Sequence, residues 1–315
     1  MRPALTGLTR DTWWRVLLVG AAAWVGGIAA TAYTRDVVLL PGVFLIGSFL
    51  VPFALLIWLI EHVTRLWLAG SGETALVPFR LLLAFAAGGA LGVWPAALIE
   101  HLLTGLVPFG YFLWVAVAEE VVKLAIVVLL AVGLTAYRRR DGMALGAAVG
   151  LGFSAFESAG YAYDIARAQG TLNVPAIIEV QISRGLLTPV GHALWTALVA
   201  GALFAAAAAA SRLRLTWSVL GWLGVAVALH AGWDVSAGVA AAVVAAIHGE
   251  SLTLAEFRRG VLPSPTTAES ALLGGLRSVL LAINAAVGLL LVRWQWHRGA
   301  VDVPVSGEPM GSASP

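Results

Sequence analysis

The chain has 315 residues, of which 60% are hydrophobic and 11% charged, and its net charge is +2. Soluble domains carry about 25% charged residues, so this composition excludes a protein that faces water on every side. The arginines lie in short loops between apolar runs, so the positive balance does not indicate nucleic-acid binding. The chain has no cysteine, which excludes disulfide bonds and thiolate metal ligands.

Eight apolar runs follow one another along the chain, and each is long enough to cross a hydrocarbon core about 30 Å thick. We predict transmembrane helices near residues 13–33, 37–60, 79–101, 109–134, 142–164, 184–210, 216–247 and 271–293. The first run lacks a clear small-residue cleavage site, so we expect it to be retained as a span. The predicted fold class is an all-α polytopic membrane helical bundle of about eight transmembrane helices in a lipid bilayer.

The distribution of arginines between the loops predicts the orientation of the bundle. With the N-terminus inside, twelve of the eighteen arginines fall on the cytoplasmic side, and Arg138–Arg140 form the strongest single signal. We therefore expect an N-in, C-in protein of the cell membrane. Residues 1–299 are interpreted as one transmembrane domain, and residues 300–315 as a disordered tail, because their sequence is polar and lacks apolar periodicity.

Small residues recur at steps of four along the fifth predicted span. They are Gly142, Gly146, Gly150, Ser154 and Ser158. Such a stripe lets a neighbouring membrane helix approach closely, so we interpret it as a packing surface.

Ionisable side chains occur inside four of the predicted spans. A charge at the bilayer centre costs about 2.5–3.5 kcal/mol on insertion scales, so each needs a partner or a purpose. Lys123 is the only lysine of the chain, and it lies four residues after Glu119 and three after Glu120, so it can reach either carboxylate. His230 and Asp234 also share a helix face. In chain order the set is Glu119, Glu120, Lys123, Glu157, His192, His230 and Asp234.

These residues are predicted to lie at a common depth. With a rise of about 1.5 Å per residue, the span limits place the six residues other than Lys123 in the outer half of a core about 30 Å thick. Because four separate spans agree in depth, we interpret the residues as one site rather than as separate structural ion pairs. Intramembrane clusters of this kind commonly mark a functional site.

Carboxylates and histidines that converge in a cavity accessible to water can activate that water. Crowded carboxylates cannot all ionise in a low dielectric, so Lys123 would keep one of them ionised. A histidine can donate to an oxyanion, and Asp234 could orient His230 for this purpose. Alternatively, Glu157, His192, His230 and Asp234 could bind zinc or another divalent metal, and a metal-independent mechanism stays open.

Other intramembrane protease motifs fit the sequence less well. The zinc motif H-E-x-x-H is absent, and Gly152 is followed by Phe153 where a presenilin-type site needs aspartate. The segment 152–155 resembles the G-x-S-x of rhomboid proteases, with either intramembrane histidine as a base. That interpretation leaves the carboxylates unexplained, and Ser154 already belongs to the packing stripe.

Three motifs together resemble one known family. Glu119-Glu120-Val121-Val122-Lys123 resembles the E-E-x-x-K motif of the PrsW family of bacterial intramembrane proteases. Residues 153–157 resemble its F-x-x-x-E, and residues 230–234 its H-x-x-x-D. Residues 191–194 resemble a further G-H segment of the family, and all four segments occur in family order on separate spans.

The resemblance implies roles for individual residues. The PrsW family is distantly similar to the CAAX prenyl endopeptidases and bacteriocin-processing proteases, in which the first glutamate of an E-E motif activates water and a late histidine stabilises the oxyanion. By position, this implies Glu119 as the base and His230 as the oxyanion donor, while Glu157 and Asp234 replace a histidine and an asparagine. PrsW-like proteins are described as metalloproteases that make the first, extracytoplasmic-side cut in a membrane-anchored anti-sigma factor.

The sequence therefore predicts an intramembrane endopeptidase that cleaves a single-span or otherwise membrane-anchored protein. The alternative is a proton- or ion-coupled transporter, because carboxylate and histidine chains also relay protons. Transporters commonly show repeated halves with paired broken helices, which are not evident in this sequence. A silent scaffold is disfavoured because every candidate catalytic side chain is present.

Overall fold

The computed structural model describes residues 11–68, 76–107, 110–168, 173–187 and 189–301, and all regular structure in these ranges is helical. Its α-helices are α1 (Thr12–Thr34), α2 (Leu40–Leu68), α3 (Pro78–Ala90), α4 (Val93–Leu106), α5 (Tyr111–Ala131), α6 (Arg139–Ala168), α7 (Val174–Leu187), α8 (Pro189–Ala210), α9 (Trp217–Ile247), α10 (Leu254–Arg259) and α11 (Thr267–Val301). A 3₁₀ turn, Val37–Leu39, precedes α2. The predicted tail, apart from the end of α11, lies outside the described residues.

The described residues contain seven helical segments that are long and apolar enough to cross a membrane. They are Thr12–Thr34, Val37–Arg65, Pro78–Leu106, Arg139–Arg167, Val174–Ala210, Trp217–Ile247 and Thr267–Gly299. The remaining predicted span coincides with α5, which has 21 residues and carries the glutamate pair and Lys123. An all-α polytopic membrane bundle is thus confirmed, while the count of eight and the N-in, C-in orientation stay predictions.

Two of the predicted spans differ from the helices of the structure. The span predicted at 79–101 consists of α3 and α4, which meet at Leu91 and Gly92. Pro95 lies in the first turn of α4, where its missing N–H leaves no helical hydrogen bond unmade. The span predicted at 184–210 includes the end of α7 and all of α8, while most of α7 lies in a stretch that the sequence assigned to a loop.

The small-residue stripe of α6 packs against α8, as its spacing predicts. A Cβ atom on Gly146 would lie 2.5 Å from the carbonyl oxygen of Thr196, and one on Gly150 would meet the backbone of His192. Only glycine allows this approach, because any larger side chain would collide with the neighbouring backbone. The contact brings His192 against α6, on which Glu157 lies about two turns beyond Gly150.

Helix α7 is attached to the first two helices by one buried amide. Gln181 donates to the carbonyl oxygens of Val43 and Phe44, at 3.0 Å each, and accepts a hydrogen bond of 2.8 Å from the indole N–H of Trp24. These bonds satisfy the buried side chain and hold α7 in one position relative to α2. They also place Arg184, one turn later on α7, beside α6.

We expect Gly146→Leu to separate α6 from α8 and to lower the free energy of unfolding by about 1–3 kcal/mol or more, because overpacking forces the backbone to move. Gly160→Leu is the matched control, since a Cβ at Gly160 meets nothing within 4 Å. Denaturant unfolding in detergent, followed by tryptophan fluorescence, measures both variants. Equal stability of the two would contradict the close α6–α8 contact.

Candidate active site

The centre of the site is the ammonium group of Lys123 on α5. Its Nζ donates to Glu119 Oε2 at 3.1 Å and to Glu120 Oε1 at 2.8 Å. The helix itself produces this arrangement, because residues three and four apart lie on one face. The side chain of Lys123 is fully buried, and its Nζ also lies 4.1 Å from the centre of the Phe153 ring.

His192, from α8, connects the lysine to Glu157 on α6. Its Nδ1 lies 2.8 Å from Lys123 Nζ, and its Nε2 lies 3.0 Å from Glu157 Oε2. Since an ammonium group can only donate, we assign Nδ1 as the acceptor and Nε2 as the protonated nitrogen that donates to Glu157. The ammonium of Lys123 and the carboxylate of Glu157 therefore favour the same tautomer of His192.

His230, from α9, approaches the glutamate pair from another side. Its Nδ1 lies 3.0 Å from Glu120 Oε1, while its Nε2 lies 3.4 Å from Asp234 Oδ2 and 3.7 Å from Glu119 Oε2. The imidazole stacks on the indole of Trp195, with 4.5 Å between ring centres. Packing and hydrogen bonding thus hold the ring in one orientation, with Nε2 towards Glu119.

The structure brings all seven predicted residues together from α5, α6, α8 and α9. Five of them are buried, whereas the side chains of Glu157 and Asp234 keep 17% and 25% of their surface exposed. The site therefore has a closed centre at Lys123 and a more open side at Glu157 and Asp234. The predicted convergence is confirmed, whereas the predicted outer-leaflet depth stays a prediction.

Arg184 of α7 belongs to the same network, although the sequence analysis gave it no role in the site. Its guanidinium lies 2.8 Å from Glu157 Oε2, and its Nε donates to Ser158 Oγ at 3.3 Å. The same group lies over the ring of Tyr161, at 3.9 Å from the centre. The apolar run before residue 184 was the available signal, since a helix there places Arg184 beside the membrane bundle.

One group of three described residues has the geometry of a metal site. Glu119, His192 and His230 each offer a donor atom, and these atoms lie within 4.8 Å of one another. Zinc takes such nitrogen and oxygen ligands, and metal-bound histidines commonly donate their other N–H to a carboxylate. Glu157 and Glu120 lie in that position for His192 and His230, respectively.

The donor set thus fits a zinc-type ion, but it differs from the set predicted from the sequence. Glu119 joins the two histidines, while Glu157 and Asp234 lie beside the histidines as carboxylate partners. Lys123 already binds Glu119 and His192, so its ammonium and a metal ion compete for the same two residues.

Comparison with known protein families matches residues 77–256 to the PrsW family intramembrane metalloproteases. The match covers more than half of the 315 residues and includes all seven site residues. The chain belongs to this family. It is therefore an intramembrane protease and a multi-pass membrane protein. Searches of curated proteins and of solved structures found no match.

We expect Lys123→Met to destabilise the PrsW-family bundle by about 3–5 kcal/mol, because it leaves two buried glutamates without their cation. Adding Glu119→Gln and Glu120→Gln to this variant should restore most of the loss, since no uncompensated charge then remains. Unfolding free energies in detergent measure both variants. The exposed Arg212→Met is the control, with an expected change within about 0.5 kcal/mol. A Lys123→Met protein as stable as the wild type would contradict this role of Lys123.

Proposed function

We propose that this protease hydrolyses a peptide bond of a membrane-anchored protein, with Glu119 as the general base. The observation that carries the proposal is the position of one buried carboxylate oxygen. Glu119 Oε2 lies 3.1 Å from Lys123 Nζ, 3.8 Å from His192 Nδ1 and 3.7 Å from His230 Nε2. A carboxylate held by an ammonium group and close to two histidines can accept the proton of a water molecule.

In the proposed reaction, Glu119 takes a proton from water while the water oxygen attacks the carbon of the scissile carbonyl. The tetrahedral intermediate then collapses, the C–N bond breaks, and the proton held by Glu119 passes to the leaving nitrogen. Lys123 stabilises the carboxylate form of Glu119 before the attack. Glu120 shares this ammonium and also binds His230, so it acts as a support for both groups.

His230 is proposed as the donor to the oxyanion that forms on the carbonyl oxygen. Glu120 lies beside Nδ1 and Asp234 lies beside Nε2, so each ring nitrogen has a carboxylate that can accept a hydrogen bond from it. The imidazolium form can therefore donate to Glu120 and to the substrate at the same time. Stacking on Trp195 restricts the ring and preserves this direction.

A divalent metal, when held by Glu119, His192 and His230, supplies Lewis-acid activation. Lys123 would then keep Glu120 as its partner, while Glu157 would accept a hydrogen bond from His192 and Glu120 one from His230. His230 would be neutral in that case, because the ring nitrogen that binds the metal carries no proton.

The proposed substrate is a single-span protein of the cell membrane, such as an anti-sigma-factor-like protein. One observation and one prediction support this proposal. The side chains of Glu157 and Asp234 are partly exposed, so the site is not closed on every side. The outer-half depth, which the sequence predicts, would suit a cut near the extracytoplasmic face.

We expect Glu119→Gln to reduce the cleavage rate by about 10²–10⁴-fold, because glutamine cannot accept the proton of water. Purified protein in liposomes with single-span reporter substrates, followed by mass spectrometry of the products, measures the rate. Ser154→Ala is the control, since Ser154 is buried in the packing stripe and lies outside the proposed machinery. Cleavage that survives Glu119→Gln, or that is lost with Ser154→Ala, would contradict the proposed base.

Zinc binding is expected to depend on the three-residue donor set and to be opposed by Lys123. Metal content after dialysis against zinc should fall in Glu119→Gln and His192→Ala proteins, because each loses a donor. Lys123→Met should bind zinc more tightly than the wild type, since no ammonium competes for Glu119 and His192. Equal zinc content in all of these proteins would contradict the site, whatever their activity.

Arg184→Gln is expected to lower kcat by about 10–100-fold in a folded protein, because Glu157 loses the cation that directs it towards His192. Arg184→Lys should recover part of the rate, which a purely structural defect would not allow to the same degree. Arg167→Gln, at an exposed position near the end of α6, is the control. Full activity of Arg184→Gln would show that Arg184 does not position Glu157.

A further inference from the structure

Two neighbouring cavities adjoin the α5–α6 and α8–α9 connections. Their volumes are about 570 and 270 Å³. Arg139, Ala205 and Ala209 line both cavities, so the two are direct neighbours. None of the site residues described above is among their lining residues.

The lining of this cavity pair is basic. Arg138 and Arg139 line the larger cavity, and Arg139 and Arg214 line the smaller one. None of the described residues that line either cavity is acidic. Two arginines on the wall of each cavity favour an anion, and arginine binds phosphate oxygens through paired hydrogen bonds.

Neutral donors accompany the arginines. Thr135, Tyr137 and Ser211 line the larger cavity with hydroxyl groups, and Ser218 lines the smaller one. Ser218 also lies in the first turn of α9, where backbone N–H groups are not used within the helix. Hydroxyl and N–H donors of this kind complete the coordination of a phosphate group.

Apart from Thr216 of the smaller cavity, the remaining lining is apolar. Alanines of the last two turns of α8 form one wall, including Ala205 and Ala209. Next to the smaller cavity, Trp217 at the start of α9 is 88% exposed. Exposed tryptophans at helix ends are typical of the membrane–water interface. A phosphate donor set beside an apolar wall at this level matches a phospholipid better than a soluble anion.

We propose that this cavity pair binds the headgroup of an anionic phospholipid, with its phosphodiester held by Arg139 and Arg214 and its glycerol end against the α8 alanines. Phosphate is the chemistry that the site recognises, and the bilayer is the source of the ligand. The site is separate from the proposed catalytic residues and does not depend on the proposed hydrolysis.

The test uses delipidated, full-length protein in detergent. Native mass spectrometry and thermal unfolding record binding of phosphatidylglycerol, of phosphatidylcholine, and of inorganic phosphate at equal ionic strength. We expect tighter binding of phosphatidylglycerol than of phosphatidylcholine, and a loss of about tenfold in that affinity in Arg139→Gln and Arg214→Gln. Arg212→Gln is the matched control, because Arg212 is exposed in the same connection and lines neither cavity.

Three results would overturn the proposal. Arg212→Gln could weaken binding as much as Arg214→Gln, which would indicate diffuse surface charge. Inorganic phosphate alone could give the full stabilisation, which would indicate a soluble anion. A chain that ends at Val301 could be the only form that binds phosphatidylglycerol, which would indicate that residues 302–315 occupy the cavities. If Arg139→Gln fails to fold, Arg214→Gln and its control decide the outcome.

Discussion

The buried ammonium group of Lys123 is the constraint on which the rest of the site depends. An amine without accessible surface cannot stay charged in a membrane bundle unless acceptors surround it. Here Glu119, Glu120 and His192 supply those acceptors from two helices. Once these acceptors surround the ammonium group, hydrogen-bonding rules determine the tautomer of His192. The same rules account for the positions of Glu157 and His230.

The helices around Lys123 can shift little without changing these hydrogen bonds. The glycines of α6 allow α8 to come close enough for His192 to bridge Lys123 and Glu157. On the far side, the Gln181 amide holds α7 against α2, and Arg184 of the same helix binds Glu157. Helix packing and ion pairing are therefore linked, since a shift of α8 would change the hydrogen bond between His192 and Lys123, and a shift of α7 would change the ion pair between Arg184 and Glu157. In this way five helices contribute to one connected network of hydrogen bonds and ion pairs.

Much of this site could be predicted from spacing. Intervals of three and four residues place Lys123 beside both glutamates, and they place His230 near Asp234. The step of four in α6 predicted a packed face, which the structure confirms. Such inferences succeed because a single helix determines them. The helical class and membrane character likewise follow from apolar runs that a bilayer requires.

Relations between different helices were less accessible. The sequence grouped Glu157 and Asp234 with the histidines as metal ligands, whereas through-space distances group Glu119 with them. Depth alone cannot separate these sets, because depth gives one coordinate of three. The role of Arg184 was not predicted, because the place of α7 against α2 depends on a long-range amide contact. The break between α3 and α4 likewise depends on local backbone geometry that an apolar run does not reveal.

The most direct test of the central claim is the position of a tetrahedral-intermediate analogue in the bound enzyme. A phosphinate peptide, built on a mapped cleavage site, can be located by electron cryomicroscopy of the complex. We expect the phosphinate oxygens to lie within hydrogen-bond distance of Glu119 and His230, in the space beside Lys123. A phosphinate group bound elsewhere, for example against Ser154, with the Lys123 cluster unchanged and without contact to it, would contradict the account.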